Sequence, residues 1–328
     1  MRPACQAGLL LLLAVTSLPA AEPFKFAALG CMPYARNPGA AAAFTRTLAE
    51  IDRQKPAFAV HLGDTLGSDE KCTDDLLQQR LRDFNSVAGA LIYTPGDNEW
   101  TDTHHEKAGS YNPLERLAKI RAWYFAVERS LGRSPIPLVT QRRDPKFARF
   151  VENARWTHGG VVFATVHVVG SHNNHQPQFP GAMEEWAERD AANEAWVRAA
   201  FAEARATSAP GLALFFQAAP FGVDRGRPDA DPGFARFLRT VETEARALAK
   251  PVLLVHADEH RYRLDVGMRF TAGAEPVPNV TRLETFGAQN FHAVLVTVDP
   301  DSIAVFSAGP LIVPGNPVPV LPRPKTAK

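Results

Sequence analysis

The sequence predicts an α/β fold organised around a parallel sheet, and three observations carry the prediction. Strand-like and helix-like runs alternate from residue 24 in the order β-α-β-α-β, the pattern produced by parallel strands joined through right-handed crossovers. The chain has 328 residues, 45% of them hydrophobic and 22% charged, a globular composition long enough to bury a large core. Several strand-like runs end in Gly followed by Asp, and the carboxyl ends of strands are where open α/β sheets gather their ligands.

Taken in order, "FKFAALG" (24–30) reads as the first strand, and "AAAFTRTLAEIDRQ" (41–54) as an amphipathic helix stopped by Pro56. "AFAVHLGD" (57–64) is strand-like again, and "TDDLLQQRLRDFNSV" (73–87) is helical, with Thr73 as N-cap ahead of two acids. "GALIYTPGD" (89–97) is the third strand, and residues 112–130 form a helix with Asn112 as cap and Pro113 at its first position. The Pro- and Arg-rich stretch 131–147 has no regular pattern, and its Arg133, Arg142 and Arg143 offer positive charge to an anionic substrate. A hairpin is expected around Gly159-Gly160, followed by a long helix over 183–207 whose Glu184 and Glu185 are assigned to a solvated face. Strand 211–217, helix 233–249 and strand 251–256 restore the alternation, and the runs beyond are expected to pair antiparallel. No internal repeat or clean linker is visible, so one domain is expected over 22–312, with 313–328 a loose Pro-rich tail.

The net charge of +1 supplies no broad basic surface, which argues against a nucleic-acid-binding role. At the N-terminus Arg2 precedes "GLLLLLAV" and then "TSLPAAEPF". This is a charged n-region, an apolar run too short to span a bilayer and a small-residue cleavage region, so 1–21 reads as a signal peptide. An uncleaved anchor is the competing reading. With no second long apolar stretch, the mature chain is expected to be periplasmic or secreted, without a membrane span. It would keep Cys31 and Cys72, and in an oxidising compartment two thiols favour one disulfide.

The strand ends carry the chemistry. The first delivers Gly30-Cys31-Met32-Pro33-Tyr34, the second Gly63-Asp64-Thr65, the third Gly96-Asp97-Asn98-Glu99, and two later ones Gln217 and His256-Ala257-Asp258-Glu259-His260. Oxygen and imidazole donors on separate strands suit Zn, Mn or Fe, and a carboxylate shared by two ions forms a two-metal clamp on a phosphoryl group. In motif order, residues 24 to 310 resemble the calcineurin-like metallophosphoesterases: Gly-Asp after the second strand, Gly-x-x-Glu after the third and a His-containing loop after a late strand. The resemblance implies a four-layer α/β/β/α sandwich, a dinuclear divalent-metal centre, and hydrolysis of a small phosphoester by metal-activated water. It also implies that Asp64 bridges the ions, that Asp97 (or Asn98) and Asp258 hold one, and that His260 with a first-strand group holds the other.

The departures are as informative as the matches. Cys31 and Pro33 replace the Asp and His of the first motif, Gly67 replaces the second Asp of the second, Asn98 takes the place of the catalytic His, Gln217 replaces a lone His, and Asp258 replaces the first His of the last. Gln217 is then a ligand through its amide oxygen or a structural hydrogen-bonder. Asp258 is a ligand or a partner of Arg261 or Arg263, and His256 a core histidine. Cys31 is a metal ligand, a nucleophile, or half of a disulfide with Cys72. The loop "GSHNNHQPQ" (170–178) lines a substrate cleft or is a polar surface loop. With Asn98 in place of the catalytic His, leaving-group protonation falls to water or to another residue, with His172, His175 and His256 as candidates. The same substitutions also fit two rival readings: a degenerate member whose cleft binds a ligand or protein partner, and thiol chemistry at Cys31.

Overall fold

The computed structural model describes residues 22–221, 231–271 and 273–319; the signal peptide expected over 1–21 and the end of the tail lie outside them. The first half contains β1 (Phe24–Leu29), α1 (Ala40–Gln54), β2 (Phe58–His61), α2 (Asp74–Ser86), β3 (Leu91–Tyr93) and α3 (Pro113–Tyr124). Next come β4 (Val139–Thr140), β5 (Ala154–His158), β6 (Val161–Thr165), a one-turn element α4 (Gly170–Asn173), α5 (Ala182–Ala206) and β7 (Leu212–Phe215). The chain ends with α6 (Ala235–Leu248), β8 (Val252–His256), β9 (Arg263–Met268), β10 (Val277–Glu284), β11 (Ala293–Val298) and β12 (Phe306–Leu311).

These strands form two sheets, a five-stranded one in the order β12-β11-β1-β2-β3 and a seven-stranded one in the order β4-β5-β6-β7-β8-β10-β9. β1, β2 and β3 run parallel, as do β6, β7, β8 and β10. The antiparallel pairing expected late in the chain holds for β9 with β10 and for β11 with β1 and β12. β10 also pairs with β8, and there it runs parallel, because β9 is the edge strand from which the chain folds back.

Side-chain alternation builds the layers. Phe26, Phe58 and Val60 point from one sheet toward Phe163, Phe215 and Val255 of the other. Phe26 stacks on Phe58 with centroids 5.3 Å apart, and Phe58 meets Phe163 edge-on at 5.0 Å. The opposite faces take Ala27, Leu29 and Ala59 against Phe44, Ile51 and Phe84 of α1 and α2, and Leu212, Leu214 and Leu254 against Phe201, Phe237 and Val241 of α5 and α6. At roughly 1.5–3 kcal/mol per fully buried large apolar side chain, strands of two to eight residues are held by their three cores rather than by length. The result is the expected α/β/β/α sandwich.

Three expectations are corrected at this level. Glu185 is buried rather than solvated, with Arg189 donating from Nε to its Oε1 at 2.7 Å and from Nη2 to its Oε2 at 3.1 Å. In the 131–147 stretch, Arg142 donates to the carbonyls of Phe125 and Ala126, and Arg143 pairs through Nε with Glu128, so both guanidinium groups are engaged locally. The tail begins docked: Asn316 donates to the carbonyls of Ala43 and Phe291.

Candidate metal centre

The loops after β1, β2, β3, β7 and β8 converge at one end of the sandwich. Asp64 follows β2 in the left-handed region (φ 55°) after Gly63 (φ 74°). Its backbone is fixed by Glu99, whose carboxylate accepts from the N–H of Asp64 at 3.1 Å and of Thr65 at 2.8 Å, and from the Tyr93 hydroxyl at 3.0 Å. Glu99 thereby clamps the β2 and β3 loops together. Gly96 permits the approach, because a Cβ there would overlap the Asp64 carboxylate.

Asp64 is shared by two donor groups. Cys31, Asp64 and His260 bring one ligand atom each to within 4.8 Å of one another, and so do Asp64, Asp97 and Asp258. Gln217 lies among the carboxylates, its Nε2 donating to Asp97 Oδ1 at 2.9 Å and to Asp64 Oδ2 and Asp258 Oδ1 at 3.2 Å each. Its Oε1 accepts from the Gly170 N–H at 2.6 Å. Gln217 therefore presents a donor to the cluster and its amide oxygen is engaged elsewhere, so of the two roles left open it takes that of a hydrogen-bonder here.

Tyr34 is the member that motif matching missed. Its hydroxyl donates to Asp64 Oδ2 at 3.0 Å, lies 3.2 Å from His260 Nε2 and accepts from Asn98 Nδ2 at 3.3 Å. Its place in "GCMPY", directly after the first strand end, was the available signal. Asn98 also donates to the Leu66 carbonyl at 3.0 Å, so it braces Tyr34. Ser171, likewise unforeseen, donates to Asp97 Oδ2 at 3.0 Å.

The disulfide expected between Cys31 and Cys72 is absent: both are buried free thiols. Cys31 turns into the cluster, 3.5 Å from Asp64 Oδ2, while Cys72 reaches the Glu99 carbonyl at 3.3 Å. Each sulfur has its own partner, Cys31 in the layer between the sheets and Cys72 in the layer under α1 and α2.

His172 lines a cleft of about 360 Å³ with Ser171, His105, Phe234, Asp258 and Glu259. Its Nδ1 lies 2.7 Å from Asp231 Oδ2. His175 instead packs edge-on against Trp186 at 4.5 Å. His256 is fully buried beside Phe216 and Phe221, facing the α6 layer.

Electrostatics say what the cluster needs. Burial, reinforced by Glu99 and Asp258, pushes the Asp64 carboxyl well above the usual range. Burial and then Asp64 do the same to Asp97, and burial raises Asp258 to about 6. Two unit charges 4 Å apart repel by about 4 kcal/mol at an effective dielectric constant near 20, so three such carboxylates cannot all ionise unassisted. Among the described residues no Lys or Arg pairs with any of them. Divalent cations fit this donor set: three carboxylates on one side, and sulfur, imidazole and a shared carboxylate on the other.

No protein-family model matches the sequence, and a search of curated proteins finds no match. Solved structures do match. PhoD superposes with a TM-score of 0.53 at 12% identity, over 85% of this chain and 64% of that one. A dimetal phosphatase from Danio rerio gives 0.52 at 9% identity, over 88% of this chain and 99% of that one. The purple acid phosphatase PPD1 from yellow lupin (Lupinus luteus) seeds gives 0.51 at 10%, over 85% and 50%. The chain thus spans under two thirds of PhoD and half of the lupin enzyme, but nearly all of the Danio rerio phosphatase. At such identities the likeness is one of fold. The fold is that of the calcineurin-like metallophosphoesterases, as the order of motifs implied.

Proposed function

We propose that the protein is an exported phosphoester hydrolase that works with two divalent cations on a small mono- or diester. The observation carrying this reading is the sharing of Asp64 between two converging donor groups, in a fold whose solved neighbours are named phosphatases. The apolar leader over 1–21 supports export, and 22–312 is then the catalytic unit.

Cys31, Asp64 and His260 would hold one cation and Asp64, Asp97 and Asp258 the other; when bound, the pair supplies electrostatic stabilisation of a phosphoryl group and activation of water. The chain's own side chains do the rest. Glu99 fixes Asp64 through the backbone, and Ser171 orients Asp97. His172, held through Nδ1 by Asp231, keeps Nε2 for the leaving-group oxygen, the task Asn98 cannot perform as an amide tied to Tyr34 and Leu66.

The test is metal content by plasma mass spectrometry after loading with Mn, Zn or Fe and desalting, together with turnover of p-nitrophenyl phosphate and its bis-ester. Two equivalents with turnover that Asp64→Asn abolishes would support the reading. A second reading has its own observation: Gln217 Nε2 and the Tyr34 hydroxyl already donate into the cluster, which favours a metal-free binding cleft. Retention of no metal under any loading condition would select it.

A further inference from the structure

We infer that the two halves of the centre are chemically unlike and select different cations: Cys31 as a thiolate joins His260 and Asp64 in a soft half-site for Zn, whereas Asp64, Asp97 and Asp258 form an all-oxygen half-site for a harder ion such as Mn. This rests on the dinuclear reading above and adds to it the identity of each half.

Three observations place the sulfur in the centre rather than beside it. Cys31 is fully buried at the end of β1, with its Sγ 3.5 Å from Asp64 Oδ2, the oxygen that also meets Tyr34 and Gln217. The Asp258 N–H donates to Sγ at 3.1 Å, which offsets part of the cost of ionising a thiol that burial and the Asp64 and Asp258 carboxylates push up. Gly287 lies against both soft donors: a Cβ there would come 2.8 Å from Cys31 Cβ and 2.7 Å from His260 Cδ2. The main chain is pinned on both sides, with the Cys31 N–H donating to the Gly63 carbonyl at 2.9 Å and its carbonyl accepting from Ala288 at 2.7 Å. The left-handed φ of 54° at Cys31 and 64° at His260 completes a cradle held from several elements.

The chemistry follows from the donor types. Thiolate and imidazole suit Zn, whereas carboxylate oxygens suit Mg, Ca and Mn. Binding exchanges a proton for a cation: the S–H bond breaks, the sulfur lone pair forms the bond to Zn, and the proton leaves to solvent with no change in oxidation state. The Cys31–Asp64 contact changes from a thiol hydrogen bond to two donors facing one ion.

The experiment uses the mature chain, loaded with one equivalent of Zn in the presence of a large excess of Mn, because Zn binds most donor sets more tightly than Mn, and then desalted. One Zn and one Mn per chain are expected, with Cys31→Ser reducing Zn retention at least tenfold and Cys31→Asp taking up Mn in its place. Loading with Co(II) should produce a sulfur-to-cobalt charge-transfer band in the near ultraviolet that Cys31→Ser abolishes and Cys72→Ser leaves intact. Two ions of one kind in the wild-type protein, with no thiolate band, would overturn the split while leaving the dinuclear centre standing. No retained metal would overturn the dinuclear reading, and the split with it. Should a variant fail to fold, the wild-type cobalt spectrum still decides.

Discussion

Asp64 carries more of the site than any other side chain. Its carboxylate is touched by Cys31, Tyr34, Gln217 and the Asn98 N–H, and it belongs to both donor groups. Asp64→Asn should lower turnover by about 10³-fold or more and should cost both cations, read by plasma mass spectrometry, with far-ultraviolet circular dichroism unchanged. His172 should behave differently. Under the proposed role of general acid, His172→Ala should lower kcat about 10²–10⁴-fold on an alkyl phosphate yet only slightly on p-nitrophenyl phosphate, whose leaving group needs no proton. An equal loss on both esters would place His172 in binding rather than proton transfer. Tyr34 shows why residue-level reading of the sequence stopped short. A hydroxyl that bonds Asp64, His260 and Asn98 at once is defined by three loops distant in sequence, and no local spacing encodes that meeting.

At the scale of elements, the turn at α4 is the costly piece. Ser171, His172, Asn173 and Asn174 have φ values of 46°, 59°, 54° and 61°, and left-handed backbone costs roughly 1–2 kcal/mol per non-glycine residue. Buried groups on α5 oppose that strain. Arg189 donates to Asn173 Oδ1 at 2.6 Å and to the Asn173 carbonyl at 2.9 Å, and Asn174 donates to Glu185 Oε2 at 2.9 Å. Arg189→Met would leave Glu185 buried and unpaired, and should cost about 3–5 kcal/mol of stability, measured by urea unfolding, while releasing Ser171 from Asp97. The loop "GSHNNHQPQ" was conspicuous in the sequence, but its two roles were not separable there. Asn173 and Asn174 hold the turn, and His172 faces the cleft. Glu185 looked solvated because helical periodicity cannot reveal that Arg189, one turn on, is buried with it.

For the whole molecule, buried histidines set the acid limit. Burial, with Arg80 adding its charge, holds His61 at about 3; burial and Arg282 hold His256 at about 3. An unfolded histidine titrates near 6.5, so between about 6.5 and about 3 the unfolded chain binds more protons. Stability should therefore fall as pH falls, by about 1.4 kcal/mol per pH unit for each histidine. Asp64, Asp97 and Asp258 act with the opposite sign in the metal-free protein, so the slope is best read as a difference. His256→Phe should flatten it by about 1.4 kcal/mol per pH unit in urea melts. The layered fold was legible because β-α-β alternation and Gly-Asp strand ends survive in one dimension. The membership of each strand in a sheet was not, since β10 joins β8 and β11 joins β1 across long intervals of chain.

That division has a mechanical meaning. Cys31, Asp64 and Asp97 ride on the five-stranded sheet, and Gln217, Asp258 and His260 on the seven-stranded one. Neither sheet owns a complete set of donors. The centre is therefore a gauge of alignment: a slip of one sheet against the other by the width of a side chain would part Asp64 from Asp258 before the aromatic filling between the layers was exposed. An ion seated there would rivet the two slabs at their rim, and its escape would be the earliest sign that they had begun to shear.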